Sequence, residues 1–150
     1  HKFLTFQDEI SKEDVDSIVT ERISNHIFDM ITAIALKQQK RALTLYYELL
    51  ALKEPPMRIL FLISKQFNSL LQGKELRSKG YDKAGITKKM ALHPFVTEKY
   101  LQQASKFKQN FLKRALTECV ETDEAVKTGK MTDRLGVELL IVKYSSEQSE

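Results

Sequence analysis

The segment 55–71, PPMRILFLISKQFNSLL, constrains the fold of this 150-residue chain more than any other. Two prolines open it, and a helix tolerates proline in its first turn because those N–H groups have no intrahelical partner. Its apolar residues are Met57, Ile59, Leu60, Phe61, Leu62, Ile63, Phe67, Leu70 and Leu71. They recur at helical spacing over more than one face, which is typical of a helix surrounded by other helices. We therefore predict a central helix that reaches about Lys79. Because Arg58 and Lys65 interrupt the apolar run, it is too short to cross a membrane.

The rest of the chain also shows helical periodicity, so we predict an all-α fold, a bundle of about seven to eight helices. No stretch alternates apolar and polar residues for long enough to indicate a strand. The other predicted helices cover residues 12–22, from 24 or 25 to 38, 40–52, 83–90, 94–104, 108–128 and from 132 onward. In the last helix we expect Leu135, Leu139, Leu140 and Val142 to face inward, and we expect residues 145–150 to be disordered.

Basic side chains are concentrated in segment 73–114, which holds eleven of them against three acidic ones. Such a cluster attracts polyanions, although a solvated lysine-rich surface gives the same pattern. A helical nucleic-acid-binding domain that uses this segment is therefore the alternative function. The candidate DNA-facing residues are Lys74, Arg77, Lys79, Lys83, Lys88 and Lys89.

No arrangement of residues indicates an enzyme. The phosphate-binding loop with its Gly-Lys-Ser/Thr ending is missing, so we expect no nucleotide cofactor. Three histidines, His1, His26 and His93, are far apart, and the single cysteine, Cys119, lies on the apolar stripe of its helix. We therefore predict no catalytic, cofactor-binding or metal-binding residues in this chain.

Four short motifs, in this order, resemble the C-terminal part of the delta subunit of the bacterial DNA polymerase III clamp loader, most closely its Gram-positive branch. The first is Asn-His-Ile-Phe-Asp at residues 25–29, and the second is Arg-Ala-Leu at residues 41–43. The third is His-Pro-Phe-Val-Thr at residues 93–97. The fourth is Asp123, Lys127 and Gly129 near the end.

The resemblance implies a fragment whose residues 1–22 end the helical lid domain and whose residues 23–150 form the helical collar. It implies a cytoplasmic protein of DNA replication that assembles with the gamma/tau ATPase subunits and delta prime. The complete complex, part of a DNA-directed DNA polymerase holoenzyme, loads the sliding clamp onto primed DNA. The contact with the clamp belongs to an N-terminal domain that this sequence does not contain.

A collar needs apolar surface for its neighbours, and the last two helices carry more apolar residues than one inward stripe requires. The candidate subunit interface consists of Phe111, Leu112, Val137, Ile141 and Tyr144.

Overall fold

The computed structural model describes residues 12–147, and these residues form helices without any strand. The helices are α1 (Lys12–Ala35), α2 (Gln39–Ala51), α3 (Pro56–Ser78), α4 (Lys83–Met90), α5 (Pro94–Ala104), α6 (Gln109–Lys127) and α7 (Asp133–Ser145). The predicted all-α bundle of about seven to eight helices is therefore confirmed for the described part of the chain.

The central helix of the bundle is α3, as the sequence predicts. Pro55 precedes it in an extended conformation, and Pro56 is its first residue. α3 packs against α1, α4, α5, α6 and α7. Its buried apolar residues are Ile59, Leu60, Ile63, Phe67, Leu70 and Leu71. Phe61 differs from the prediction, because its side chain is 62% exposed on a face of α3 that turns toward solvent.

Aromatic side chains join α3 to the C-terminal half of the bundle. The Phe67 ring meets the rings of Phe107, Phe111 and Tyr144 edge to face, at centroid distances of 5.9, 6.0 and 5.9 Å. Such pairs stabilise a fold beyond the area that they bury, by about 0.5–1.5 kcal/mol each. This cluster therefore fixes α6 and α7 on the central helix.

The prediction of two separate helices before Gln38 is wrong, because α1 is continuous from Lys12 to Ala35. Ser24 and Asn25, which resemble capping residues in sequence, lie inside this helix. Its C-terminal half is anchored in the core by Ile27, Met30, Ile31, Ala33 and Ile34. Residues 14–22 are exposed, including the apolar stripe of Val15, Ile18 and Val19.

α1 therefore runs through residue 22 without a break, and the domain boundary at that residue stays a prediction. Before this helix, the apolar residues Phe3, Leu4 and Phe6 are typical of the end of a preceding element, and they lie outside the described residues.

Two buried amides connect the three helices α1, α3 and α5. Gln66 Nε2 donates to Gln103 Oε1 at 2.8 Å, and Gln103 Nε2 donates to the Phe28 carbonyl at 2.9 Å and to Thr32 Oγ1 at 2.8 Å. Gln103 is only 2% exposed. Because a buried amide costs free energy unless it is hydrogen-bonded, this network favours one relative placement of the three helices.

Capping residues set the ends of the shorter helices. The Asp82 carboxylate accepts from Gly85 N at the start of α4, which spans the residues 83–90 predicted to be helical. His93 Nδ1 accepts from Phe95 N at the start of α5, and Thr132 accepts from Leu135 N at the start of α7. Contrary to the predicted disorder from residue 145, Ser145 is the last residue of α7 and is buried.

We expect Gly136→Ala to destabilise the protein, although alanine normally favours a helix interior. A Cβ at this position would lie 2.9 Å from Met131 Sδ and 3.2 Å from Thr122 Cγ2, both closer than ordinary contact. Overpacking of this kind costs about 1–3 kcal/mol, which exceeds the gain in helix propensity of about 1 kcal/mol.

The matched control is Gly73→Ala in α3, where the nearest atom, Leu101 Cδ2, lies at an ordinary 3.4 Å. This variant should be more stable than wild type by roughly 0.5–1 kcal/mol, as measured by urea denaturation. A Gly136→Ala variant that gained as much stability would show that α6 and α7 are not packed this closely.

Candidate interaction surfaces

The five residues predicted to form a subunit interface are all buried inside the chain. Phe111, Leu112, Val137, Ile141 and Tyr144 belong to the hydrophobic core and are at most 3% exposed. The expectation that they form free surface is therefore wrong. The physical reason is that α6 and α7 pack against α3, and the surplus apolar residues are those that make this contact.

The opposite side of α7 carries the exposed apolar residues. Leu135 and Leu139 are 47% and 48% exposed, and Val142 is half-buried. Together with Glu138 they occupy one helical face, which we call the outer face of α7. The sequence prediction that Leu135 and Leu139 point inward is wrong, whereas Leu140, which was predicted with them, does pack against the core.

Hydrogen bonds from α2 and from the turn before it hold α7 in this orientation. The Tyr46 hydroxyl donates to the Arg134 carbonyl at 2.8 Å, near the start of α7. Gln39 Nε2 donates to the Val142 carbonyl and Lys37 Nζ to the Tyr144 carbonyl, both at 3.1 Å near its end. Since both ends of α7 are held, its outer face has a fixed orientation relative to the bundle.

Glu118 on α6 binds the last turn of α7. Its carboxylate accepts from Lys143 Nζ at 2.7 Å and from the Tyr144 hydroxyl at 2.6 Å. Burial raises the pKa of Glu118, but these two hydrogen bonds, together with the positive charges of Lys143 and Arg114, outweigh burial, so the net shift of its pKa is downward. Burial, followed by the hydrogen bond to Glu118, raises the pKa of Tyr144 well above its usual range.

We expect the stabilising effect of Glu118 to depend on pH. Because folding lowers its pKa, its contribution is complete above the ordinary value of 4.5 and is lost as the pH falls through the lower, folded value. Glu118→Gln should therefore be less stable than wild type at pH 7, and the difference should shrink toward pH 3.

Urea denaturation of both proteins across this pH range is the measurement. Glu121→Gln, an exposed glutamate on the same helix, is the control, and its effect should stay small at every pH. A difference for Glu118→Gln that was constant down to pH 3 would contradict the assigned hydrogen bonds.

The predicted DNA-facing residues lie along the C-terminal end of α3 and along α4. Five of the six are exposed, and Lys74 is half-buried with its Nζ donating to the Ala104 carbonyl at 3.2 Å. Lys83 pairs with Glu98 at 2.6 Å, and this hydrogen bond is the main cause that lowers the pKa of Glu98. Lys89 lies over the Tyr81 ring, 5.7 Å from its centroid. Contact of this region with DNA stays a prediction.

His1 lies outside the described residues, and the other three candidates for chemistry are engaged in structural contacts. His26 Nε2 lies 2.9 Å from Glu48 Oε1, and His93 caps α5. Cys119 is buried, and burial raises the pKa of its thiol to about 12. Within residues 12–147, no group of three or more histidine, cysteine, aspartate or glutamate side chains could hold a metal ion. No helix in this range is long and apolar enough to span a membrane.

Comparison with known families decides which group of proteins the chain belongs to. The family model of the DNA polymerase III delta subunit, C-terminal domain, matches residues 24–144. The chain belongs to this family. The resemblance inferred from the four short motifs is thereby confirmed.

Two relatives place the chain within this delta-subunit family. It is 30% identical, over 141 residues, to the DNA polymerase III subunit delta of Bacillus subtilis (strain 168). The aligned region covers 94% of this chain and 41% of the relative. It is also similar to the solved structure of the Bacillus subtilis DNA clamp loader delta protein, with a TM-score of 0.78 and 30% sequence identity. That match covers 91% of this chain and 40% of the solved chain. The chain thus spans about two-fifths of the length of these relatives.

The motifs that resemble the delta C-terminal family have structural roles in this chain. Residues 25–29 lie where α1 enters the core, and residues 93–97 form the capped start of α5. Asp123 and Lys127 form an ion pair of 2.8 Å on α6. Gly129 follows this helix with a φ of +80°, a conformation that favours glycine at a helix end.

Proposed function

We propose that this chain is a collar-type assembly domain of a clamp-loader delta subunit, which joins other clamp-loader subunits in a complex that loads a sliding clamp onto primed DNA. The observation that carries the proposal is the delta-subunit family match over residues 24–144, together with the solved clamp-loader delta protein of similar fold. The partners are the gamma/tau ATPase subunits and delta prime. In this role the domain binds proteins and catalyses no reaction itself, and it acts in the cytoplasm because bacterial DNA is replicated there.

The outer face of α7 is the surface that we propose for subunit contact. Leu135 and Leu139 lie one helical turn apart and are each about half exposed, with Val142 extending the stripe. Exposed apolar patches of this kind often mark protein interfaces. Glu138 on this face and Arg134 beside it supply the polar rim that interfaces also need.

The test replaces Leu135 and Leu139 together by glutamate and measures co-purification with the gamma/tau and delta prime subunits. Burying an unpaired charge in an interface costs several kcal/mol, so we expect binding to fall at least tenfold while the circular dichroism spectrum stays helical.

Phe61→Glu with Val120→Glu is the matched control, because these two apolar residues are more exposed than the leucines and lie on other helices. We expect this control to bind within twofold of wild type. Wild-type binding by the α7 variant and loss of binding by the control would show that the subunit contact lies on another face.

A further inference from the structure

A cavity of about 280 Å³ lies between α1, α3 and α5, and none of its lining residues belongs to α7. Phe28, Leu62 and Val96 contribute to its apolar part. Asn25, Lys65 and Lys99 contribute to its polar part. The cavity thus combines an apolar interior with cationic and amide groups, as sites for amphipathic ligands do.

The charged side chains that line this cavity are all basic. Lys65 and Lys99 both line it, and no acidic side chain does. Neither lysine forms an ion pair with a described residue, whereas Lys83, Lys127 and Lys143 each pair with a carboxylate. Two ammonium groups beside one cavity, neither of them paired with a carboxylate, favour an anionic ligand.

The two aromatic residues that line the cavity, Phe28 and Tyr100, contact each other. The rings of Phe28 and Tyr100 are stacked with centroids 6.4 Å apart and 18° between their planes. Lys99 Nζ lies over the Phe28 ring, 4.7 Å from its centroid. Single-stranded nucleic acids are bound by base stacking on free aromatic faces, and this arrangement leaves little of the Phe28 ring available. An aliphatic or aromatic side chain that fits beside Leu62 and Val96 suits the cavity better than a nucleobase.

The walls of the cavity are held in place before any ligand binds. Gln66 lines it and is hydrogen-bonded to Gln103, which in turn is bonded to α1 through the Phe28 carbonyl and Thr32. A preformed site avoids the free-energy cost of ordering helices on binding.

We propose that this cavity docks an acidic peptide segment of a protein partner. One leucine, isoleucine or phenylalanine side chain of the segment enters the apolar part, and neighbouring aspartate or glutamate carboxylates bind Lys65 and Lys99. This docking site is separate from the outer face of α7, and its existence does not depend on the proposed subunit contact.

The experiment selects a displayed library of random dodecapeptides on the full 150-residue chain. We expect the enriched peptides to carry aspartate or glutamate within two positions of a large apolar residue. The strongest peptide is then synthesised with a fluorescent label, and its dissociation constant is measured by anisotropy at 50 and 300 mM NaCl. We expect affinity to fall several-fold at the higher salt concentration, because charged contacts on a surface are screened.

Three variants decide where the peptide binds. Lys65→Glu with Lys99→Glu should weaken binding at least tenfold. Lys106→Glu with Lys113→Glu makes the same change of charge at exposed lysines that do not line the cavity, and this control should stay within twofold of wild type. Ser69→Trp narrows the cavity without changing its charge and should also weaken binding tenfold, so the proposal is tested even if the first variant fails to fold.

Enriched peptides without acidic residues, or equal binding to wild type, Ser69→Trp and the Lys65/Lys99 variant, would overturn the proposal. A twelve-nucleotide thymidine strand serves as the second probe. If the Lys65/Lys99 variant lost binding to this strand and kept its affinity for the peptide, the cavity would be a nucleic-acid site and the proposal would be wrong.

Discussion

Replacing Phe67 by alanine is expected to lower the free energy of unfolding by about 3–5 kcal/mol, the range for a large aromatic residue removed from a packed core. Phe67 is fully buried at the centre of α3. Its ring makes three edge-to-face contacts with Phe107, Phe111 and Tyr144, which belong to or adjoin α6 and α7. The substitution therefore removes the contacts that join the central helix to the C-terminal half of the bundle.

Chemical denaturation of Phe67→Ala beside Phe61→Ala gives a comparison within one helix. Both variants lose the same atoms and gain the same helix propensity, but Phe61 is 62% exposed. Substitutions at such surface positions usually change stability by less than about 0.5 kcal/mol. Equal losses for the two variants would mean that α3 is not rotated as described.

The second large effect is expected for Ile141→Glu on α7, which should cost about 3–5 kcal/mol because it buries a charge without a partner. Ile141 is 1% exposed within the core. Leu139→Glu, two residues earlier on the same helix, places the same charge on the outer face, where water can solvate it. We expect Leu139→Glu to change the free energy of unfolding by less than about 1 kcal/mol.

Thermal or urea denaturation of these two variants measures directly which face of α7 is inward. If Leu139→Glu unfolded the protein and Ile141→Glu did not, the sequence-based assignment would be right and the orientation of α7 described above would be wrong.

The helices could be predicted because their apolar residues recur with a helical period that depends only on local sequence. For α3, the two prolines mark the start, and the wide apolar stripe marks a helix with neighbours on several sides. The continuity of α1 could not be predicted in the same way. Ser24 and Asn25 favour helix starts through their side chains, but anchoring of the following turns by Ile27 and Ile31 outweighs this local preference.

The orientation of α7 could not be predicted because two opposite faces of this helix are apolar. Periodicity does not distinguish Leu135 and Leu139 from Ile141 and Tyr144. The choice depends on tertiary contacts: Gly136 permits close approach to α6, and Glu118 binds the Tyr144 hydroxyl.

The cavity beside Lys65 and Lys99 was not predicted for a related reason. Its lining residues come from three separate helices, and Lys65 and Lys99 alone are 34 positions apart in the sequence. No local pattern relates such residues, and only the packing of α1, α3 and α5 brings them together.

The continuity of α1 has a mechanical consequence. At 1.5 Å per residue, the part of α1 from Lys12 to Ile27 extends about 22 Å along the helix axis from the point where the helix is anchored in the core. An unbroken helix transmits rotation without a hinge, so a tilt of the bundle by about 10° would displace the N-terminal end of α1 by about 4 Å. α1 would therefore act as a stiff lever that converts a small rotation of the bundle into linear displacement at its N-terminal end.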